Sequence, residues 1–163
     1  MSKISDAMAF LEALGLSDEL ESFTGRKRVQ KIFYLLKQFG ADLKFGYTWY
    51  LHGPYSPELT RALLDSPDTG TPQRSLTKEE LESVNSMRNF MADDFYSVDK
   101  LELIVSLIYL IKYAPEQGYD SKKKIFDFIR EQKPQFSKND VETAWRKVER
   151  SKIWDDYLDK LVG

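Results

Sequence analysis

Phe45-Gly46-Tyr47-Thr48-Trp49-Tyr50-Leu51-His52-Gly53-Pro54-Tyr55-Ser56-Pro57-Glu58-Leu59 is the stretch whose reading decides the fold of this chain. Phe45, Tyr47, Trp49 and Leu51 alternate with Gly46, Thr48 and Tyr50. That is the two-residue period of a strand, in an aromatic-rich run. His52 continues the face of Thr48 and Tyr50. Gly53-Pro54 reads as the break that ends the strand. Ser56 then fits an N-cap, Pro57 the first helical position, and Glu58 the positive first turn of a helix running to about Leu64. A short strand near Gln73 to Leu76 is the expected pairing partner of the first.

Upstream, Thr24 to Phe39 reads as a helix closed by Gly40 in the C′ position. Val29, Ile32, Phe33, Leu36 and Phe39 form one broad apolar stripe, with Lys27, Lys31, Tyr34 and Gln38 opposite. Arg28 falls inside the apolar arc. A guanidinium there must escape at the helix end, pair with a carboxylate, or face a cleft. Glu102 is equally misplaced on an apolar helix, so it is the expected counter-ion.

The remaining segments are also helical. Ser5 to Leu14 carries Met8, Leu11 and Leu14 and stops at Gly15. Thr77-Lys78-Glu79-Glu80 is a capping box that opens a helix to about Met91. Ser97 to Tyr113 has apolar residues around nearly the whole wheel, as a central buried helix does. Lys122 to Gln132, a break at Lys133-Pro134, and Ser137 to Arg150 follow, then an amphipathic turn with Ile153, Trp154, Tyr157, Leu158 and Leu161. The expectation is a mainly α, compact helical domain with a small two-stranded β element. One domain spans 1–163, with a core over 1–113 and a C-terminal helical subregion over 114–163.

Composition narrows the function. With 42% hydrophobic residues the chain can build a real core. The start lacks the apolar region of a signal peptide. The longest apolar run, Leu101 to Ile111, is interrupted by Glu102 and Ser106 and is too short to span a bilayer. A cytoplasmic protein without membrane partners is expected. Cysteine is absent, which excludes disulfides and thiolate chemistry, and a single histidine argues against structural zinc. The net charge of -2 hides two basic blocks. Arg26, Lys27, Arg28, Lys31 and Lys37 have no acid between them. From Lys122 to Lys152, ten bases face five acids. Such blocks can steer an acidic partner to one face, although solvated helix faces are the plainer account.

Catalytic patterns are thin. His52 is the natural general base near neutral pH. Ser56 lies four residues away, yet no Gly-x-Ser-x-Gly elbow occurs. A strand-end histidine bonding a turn or a tyrosine is simpler, so no catalytic residue is assigned. No phosphate loop or Gly-x-Gly-x-x-Gly occurs, which leaves nucleotide binding unsupported. No cofactor and no metal site is expected. The two helices around Pro134 have a helix-turn-helix outline, in which Lys122, Lys123, Lys124, Arg146, Lys147 and Arg150 would meet phosphates and base edges. Against this stand Glu142 and Glu149 on the same helix and a pI of about 5.6.

Arg28-Val29-Gln30-Lys31-Ile32-Phe33-Tyr34-Leu35, the following Gly40, and Trp49-Tyr50-Leu51-His52-Gly53-Pro54-Tyr55-Ser56 resemble the Panacea domain family. That family includes SocA-like antitoxins and phage-associated proteins. The nearest likeness is to a YwgA-like bacterial and archaeal branch. The resemblance covers about Thr24 to Tyr113, with Gln30, Lys31, Tyr34, Gly53 and Pro54 on the family pattern. Tyr55-Ser56 stands where the antitoxin form has a Val-rich turn, and the C-terminal third matches poorly. The resemblance implies a helical domain with a small β element and a protein-binding role, its partner a toxin encoded beside it.

The expected function is therefore a non-enzymatic protein-binding module, antitoxin-like or phage-associated. Arg28, Lys31, Tyr34, His52 and Tyr55 form its expected partner surface. Gln30, Gly53, Pro54, Ser56 and Glu102 are expected to shape it. DNA binding through the C-terminal basic residues is the alternative.

Overall fold

The structure, a computed structural model, describes residues 3–50, 53–64 and 74–162. Among these it is mainly α with one small two-stranded antiparallel sheet. The chain divides into two compact units, Met1–Val98 and Asp99–Gly163.

The N-terminal unit holds α1 (Lys3–Ala13), a 3-10 turn (Ser17–Glu21) and α2 (Phe23–Gln38). Next come β1 (Thr48–Tyr50), β2 (Gly53–Tyr55), α3 (Pro57–Leu64), α4 (Lys78–Met91) and a second 3-10 turn (Ala92–Tyr96). The C-terminal unit consists of α5 (Val98–Tyr113), which begins at the division, a 3-10 turn (Ala114–Gln117), α6 (Lys122–Gln132), α7 (Lys138–Ser151) and α8 (Asp155–Leu158). The division thus falls at the start of α5, whereas the Pro- and Gly-containing loop had placed a subregion boundary after it. A loop composition marks where the chain turns, not which elements pack together.

Helix ends follow capping chemistry. The Ser22 hydroxyl accepts from the Gly25 N–H at 2.9 Å and opens α2 one residue ahead of the expected start. Ser56 caps α3 through the Leu59 N–H at 3.2 Å. Thr77 and Glu80 form the expected capping box of α4, and Ser137 with Asp140 forms another on α7. Each cap satisfies N–H groups that the first helical turn leaves without intrahelical partners.

The sheet departs from the sequence reading. Gly53-Pro54 does not break the strand; it begins β2. Thr48 pairs with Tyr55, Trp49 with Pro54 and Tyr50 with Gly53. The partner of β1 is therefore the next segment of chain. Arg74 to Leu76 is not a strand, and residue 73 lies outside the described residues. Phe45 to Tyr47 is coil ahead of β1, and Leu51 is likewise outside the described residues. Gly53 has φ +101°, a backbone setting that costs glycine little and an L side chain more. Proline is tolerated in β2 because a two-stranded ribbon consists of edge strands alone.

Burial is deepest along two helices. In α2 every residue from Arg28 to Leu36 is buried. Within its unit, that helix contacts the 17–21 turn, β2 and α4. In α5, Leu101 to Ile108, Leu110 and Ile111 are buried, as its all-round apolar wheel predicts.

Arg74 ties α1 to the start of α4. Its guanidinium donates to Asp6 Oδ1 at 2.8 Å and to both Glu80 oxygens at 2.7 and 2.9 Å. The hydrogen bond from Arg74 is the main reason the Glu80 carboxyl lies below its usual 4.5. A lowered carboxyl stabilises the fold above the unfolded pKa and loses that contribution as pH falls through the folded value. Thermal melts should therefore show wild type losing stability more steeply than Glu80→Gln below about pH 4.5. Parallel pH profiles for the two proteins would remove this assignment.

Candidate binding site at the second helix and the hairpin

Gln30 joins α2 to the hairpin. Its side-chain oxygen accepts from the Ser56 N–H at 2.9 Å, and its amide nitrogen donates to the Ser56 carbonyl at 2.9 Å. The same nitrogen reaches Thr60 Oγ1 at 2.8 Å, which also bonds the Tyr55 hydroxyl at 2.9 Å. Gln30, Ser56, Thr60 and Tyr55 thus fix where β2 ends and α3 begins. Gln30 and Ser56 are buried, and Tyr55 is half-buried.

Arg28 takes the carboxylate solution, but with a different acid. Its Nη1 meets Glu19 Oε1 at 2.9 Å, while Nε and Nη2 donate to the Phe95 carbonyl at 3.3 and 2.9 Å. The expected pairing with Glu102 is replaced. Glu102 accepts instead from Lys133 Nζ at 2.9 Å, with Gln135 at 3.4 Å. Periodicity could flag both misplaced charges. It could not find Glu19, which lies in the 3-10 turn nine residues away.

Phe95 is the hub on the other side of Arg28. The Arg28 guanidinium lies 4.8 Å from its ring centroid and that of Arg88 5.3 Å, both within cation–π range. Tyr96 stands edge-on to Phe95 at 5.3 Å and lies 5.8 Å from the Arg28 guanidinium. Tyr96 is 74% exposed. An exposed aromatic braced by a buried ring and a fixed cation was not visible in the sequence, because the cation comes from α2, far away in the chain.

The expected partner surface is largely internal. Arg28, Lys31 and Tyr34 are buried, so as it stands the fold does not offer them to a partner. The wheel placed Lys31 and Tyr34 opposite the apolar stripe, but α2 is covered on more than one face. His52 lies outside the described residues. Gly53, Pro54 and Ser56 are buried within the hairpin and its junction with α3, and among the described residues of the expected surface only Tyr55 is half-exposed.

Gly25 is a residue the sequence reading passed over. A Cβ there would sit 2.0 Å from the Glu19 carbonyl oxygen and 2.7 Å from Glu19 Oε2. The 17–21 turn thus lies directly on the first turn of α2. A glycine inside a helix, where alanine is favoured by about 1 kcal/mol, is the signal that could have shown it.

The C-terminal basic residues are interleaved with acids. Lys122 pairs with Glu142 at 3.1 Å, Lys123 with Asp127 at 2.6 Å and Lys124 with Asp120 at 3.1 Å. Arg146 shares Glu142 at 3.6 Å, and Arg150 Nε turns back to the Arg146 carbonyl at 3.3 Å. Lys147 is half-buried. Lys122 also lies over Phe126 and Trp145, at 5.3 and 5.5 Å. α6 and α7 pack together, as a helical hairpin does with or without DNA.

Among the described residues no group of three or more His, Cys, Asp or Glu side chains is placed to hold a metal ion. No helix of the described chain is long and apolar enough to cross a membrane. No family model, curated protein or solved structure matches the chain.

Proposed function

We propose that this chain is a non-enzymatic protein-binding module. The observation that carries the reading is Tyr96, exposed yet held by Phe95 and Arg28. Tyrosine presented on a rigid base supplies contact area with little ordering cost, which is how aromatic hot spots act at interfaces. The buried polar side chains around α2 and α5 support the same reading. Arg28, Gln30 and Glu102 are engaged in holding backbone or countering charge.

The finer proposal is an antitoxin-like or phage-associated role: neutralising or chaperoning a protein encoded beside this one in a prokaryotic or phage cytoplasm. Its support is the likeness to Panacea domains around Gln30, Lys31, Tyr34, Gly53 and Pro54. The test is co-purification and calorimetry with the product of the adjacent reading frame. Tyr96→Ala should weaken that complex by about thirtyfold. Its own stability should stay within about 0.5 kcal/mol of wild type, as for an exposed side chain. Equal affinity of both proteins would remove Tyr96 from the interface. A DNA mobility shift that falls steeply with salt would instead favour the C-terminal basic residues.

A further inference from the structure

We propose that Lys37 and Tyr47 form a two-donor recess beside the hairpin that accepts a carboxylate from an acidic segment of a protein partner. The inference rests on the binding-module reading and gives it a chemistry of recognition.

Lys37 and the Tyr47 hydroxyl lie there, and among the described residues neither has a carboxylate within hydrogen-bond or ion-pair distance. Lys37, half-buried on α2, donates to the Phe45 carbonyl at 2.7 Å and lies 5.6 Å from the Tyr47 ring centroid. Among the described residues it has no carboxylate at ion-pair distance. Burial lowers its pKa most, and the nearby Lys44 lowers it further, more than Glu58 raises it. The local environment therefore disfavours the ammonium and would be relieved by an anion. Lys44 has its own acid, Asp42, at 2.8 Å.

The second donor is the Tyr47 hydroxyl, which is sealed from solvent and has no hydrogen-bond partner. A buried hydroxyl in this state destabilises a protein relative to phenylalanine at the same place. The Tyr47 ring packs edge-on against Tyr34 at 5.1 Å, so the ring itself would be served equally well by phenylalanine. Exposed Gly46 precedes it, and a Cβ there would have only Glu58 Oε1 within 4 Å, at 3.7 Å. Gly46 brings no side chain of its own to this side of Tyr47, where the Glu58 carboxylate is the nearest neighbour. A carboxylate entering there would take the Lys37 ammonium first and the hydroxyl after a small rotation of the ring.

The recess makes an unusual pair of demands on one variant. Tyr47→Phe should raise the melting midpoint of the free protein by about 2–4 °C. It should also weaken carboxylate binding by about tenfold, the loss of one hydrogen bond to a charged group. The probe is a tetraglutamate peptide, titrated into the full chain while the Tyr47 ring protons are followed by NMR, with inorganic phosphate in a parallel arm at matched ionic strength. Saturable shifts in wild type that vanish in Lys37→Met support the recess. Equal shifts in Lys37→Met overturn it, as does displacement of the peptide by equimolar phosphate. Failure of the two readings can be told apart. If the adjacent gene product forms no complex while tetraglutamate still titrates wild type alone, the module reading falls and the recess stands. If that product binds wild type and Lys37→Met equally, the recess falls.

Discussion

Gly25→Ala should be among the most damaging single substitutions in the N-terminal unit, lowering stability by about 4 kcal/mol. The reason is backbone, not conformation. The added carbon would sit 2.0 Å from the Glu19 carbonyl oxygen, and no rotamer change relieves a clash with a main-chain atom. The Ser17–Glu21 turn must lift away, and Glu19 leaves with it. Arg28 then loses the carboxylate at 2.9 Å while its side chain stays only 10% exposed. A buried guanidinium stripped of its partner is the costly half of this change. For a chain of this size the midpoint of thermal unfolding should fall by roughly 10 °C. Glu19→Gln is the informative companion. It removes the charge without the clash, so it should cost clearly less. If Gly25→Ala melts within 2 °C of wild type (about 0.5–1 kcal/mol), the close approach of the turn to α2 is not what holds this corner.

The second large effect lies in the C-terminal unit. The Lys133 and Glu102 side chains are 3% and 7% exposed and meet at 2.9 Å. Lys133→Met should cost about 3–5 kcal/mol, because it leaves the Glu102 carboxylate buried without its ammonium. Glu102→Leu should cost a comparable amount for the converse reason. The double variant should recover much of the loss, since an apolar pair of similar volume has no charge to desolvate. Denaturant unfolding of the four proteins gives the coupling directly. Additive losses would show that each side chain acts through other contacts. The pair also explains how Lys133, at the end of α6, can be buried next to a proline turn: its ammonium is drawn inward to α5.

The fold was legible wherever local chemistry fixes an element. Ser56-Pro57, Thr77-Glu80 and Gly40 name helix ends through N–H groups and backbone angles that depend on neighbours in sequence. Glycine and proline ordinarily punctuate a strand, and here they begin β2. In a two-stranded ribbon a strand has no second neighbour to serve, so proline is no obstacle there. The 3-10 turns at 17–21 and 92–96 carry no apolar period, and both supply the partners of Arg28. The candidate surface was misplaced for a related reason. A helical wheel ranks faces by polarity and cannot say how many faces the rest of the chain will cover. Lys31 and Tyr34 point away from the apolar stripe and are buried all the same. Tyr96 gave no signal of its own, since what distinguishes it is the ring and guanidinium brought beneath it.

Gln30 does for Ser56 what a neighbouring peptide group would do. Its amide turns its oxygen and one N–H to Ser56, and Ser56 answers with its own N–H and carbonyl. That reciprocal pair is the bonding unit of an antiparallel ladder, here made between a side chain and a main chain. The residue after β2 therefore meets, in place of a third strand, a single rung provided by a helix. Such a rung has a chemical requirement that a true strand lacks. A peptide group can come from any residue except proline on the donor side, whereas this rung needs an amide at the end of a two-methylene arm. Glutamate offers no donor, and asparagine is one methylene short. The small sheet is in this sense completed by the identity of one side chain, and the direction in which the hairpin leaves α2 is set by it.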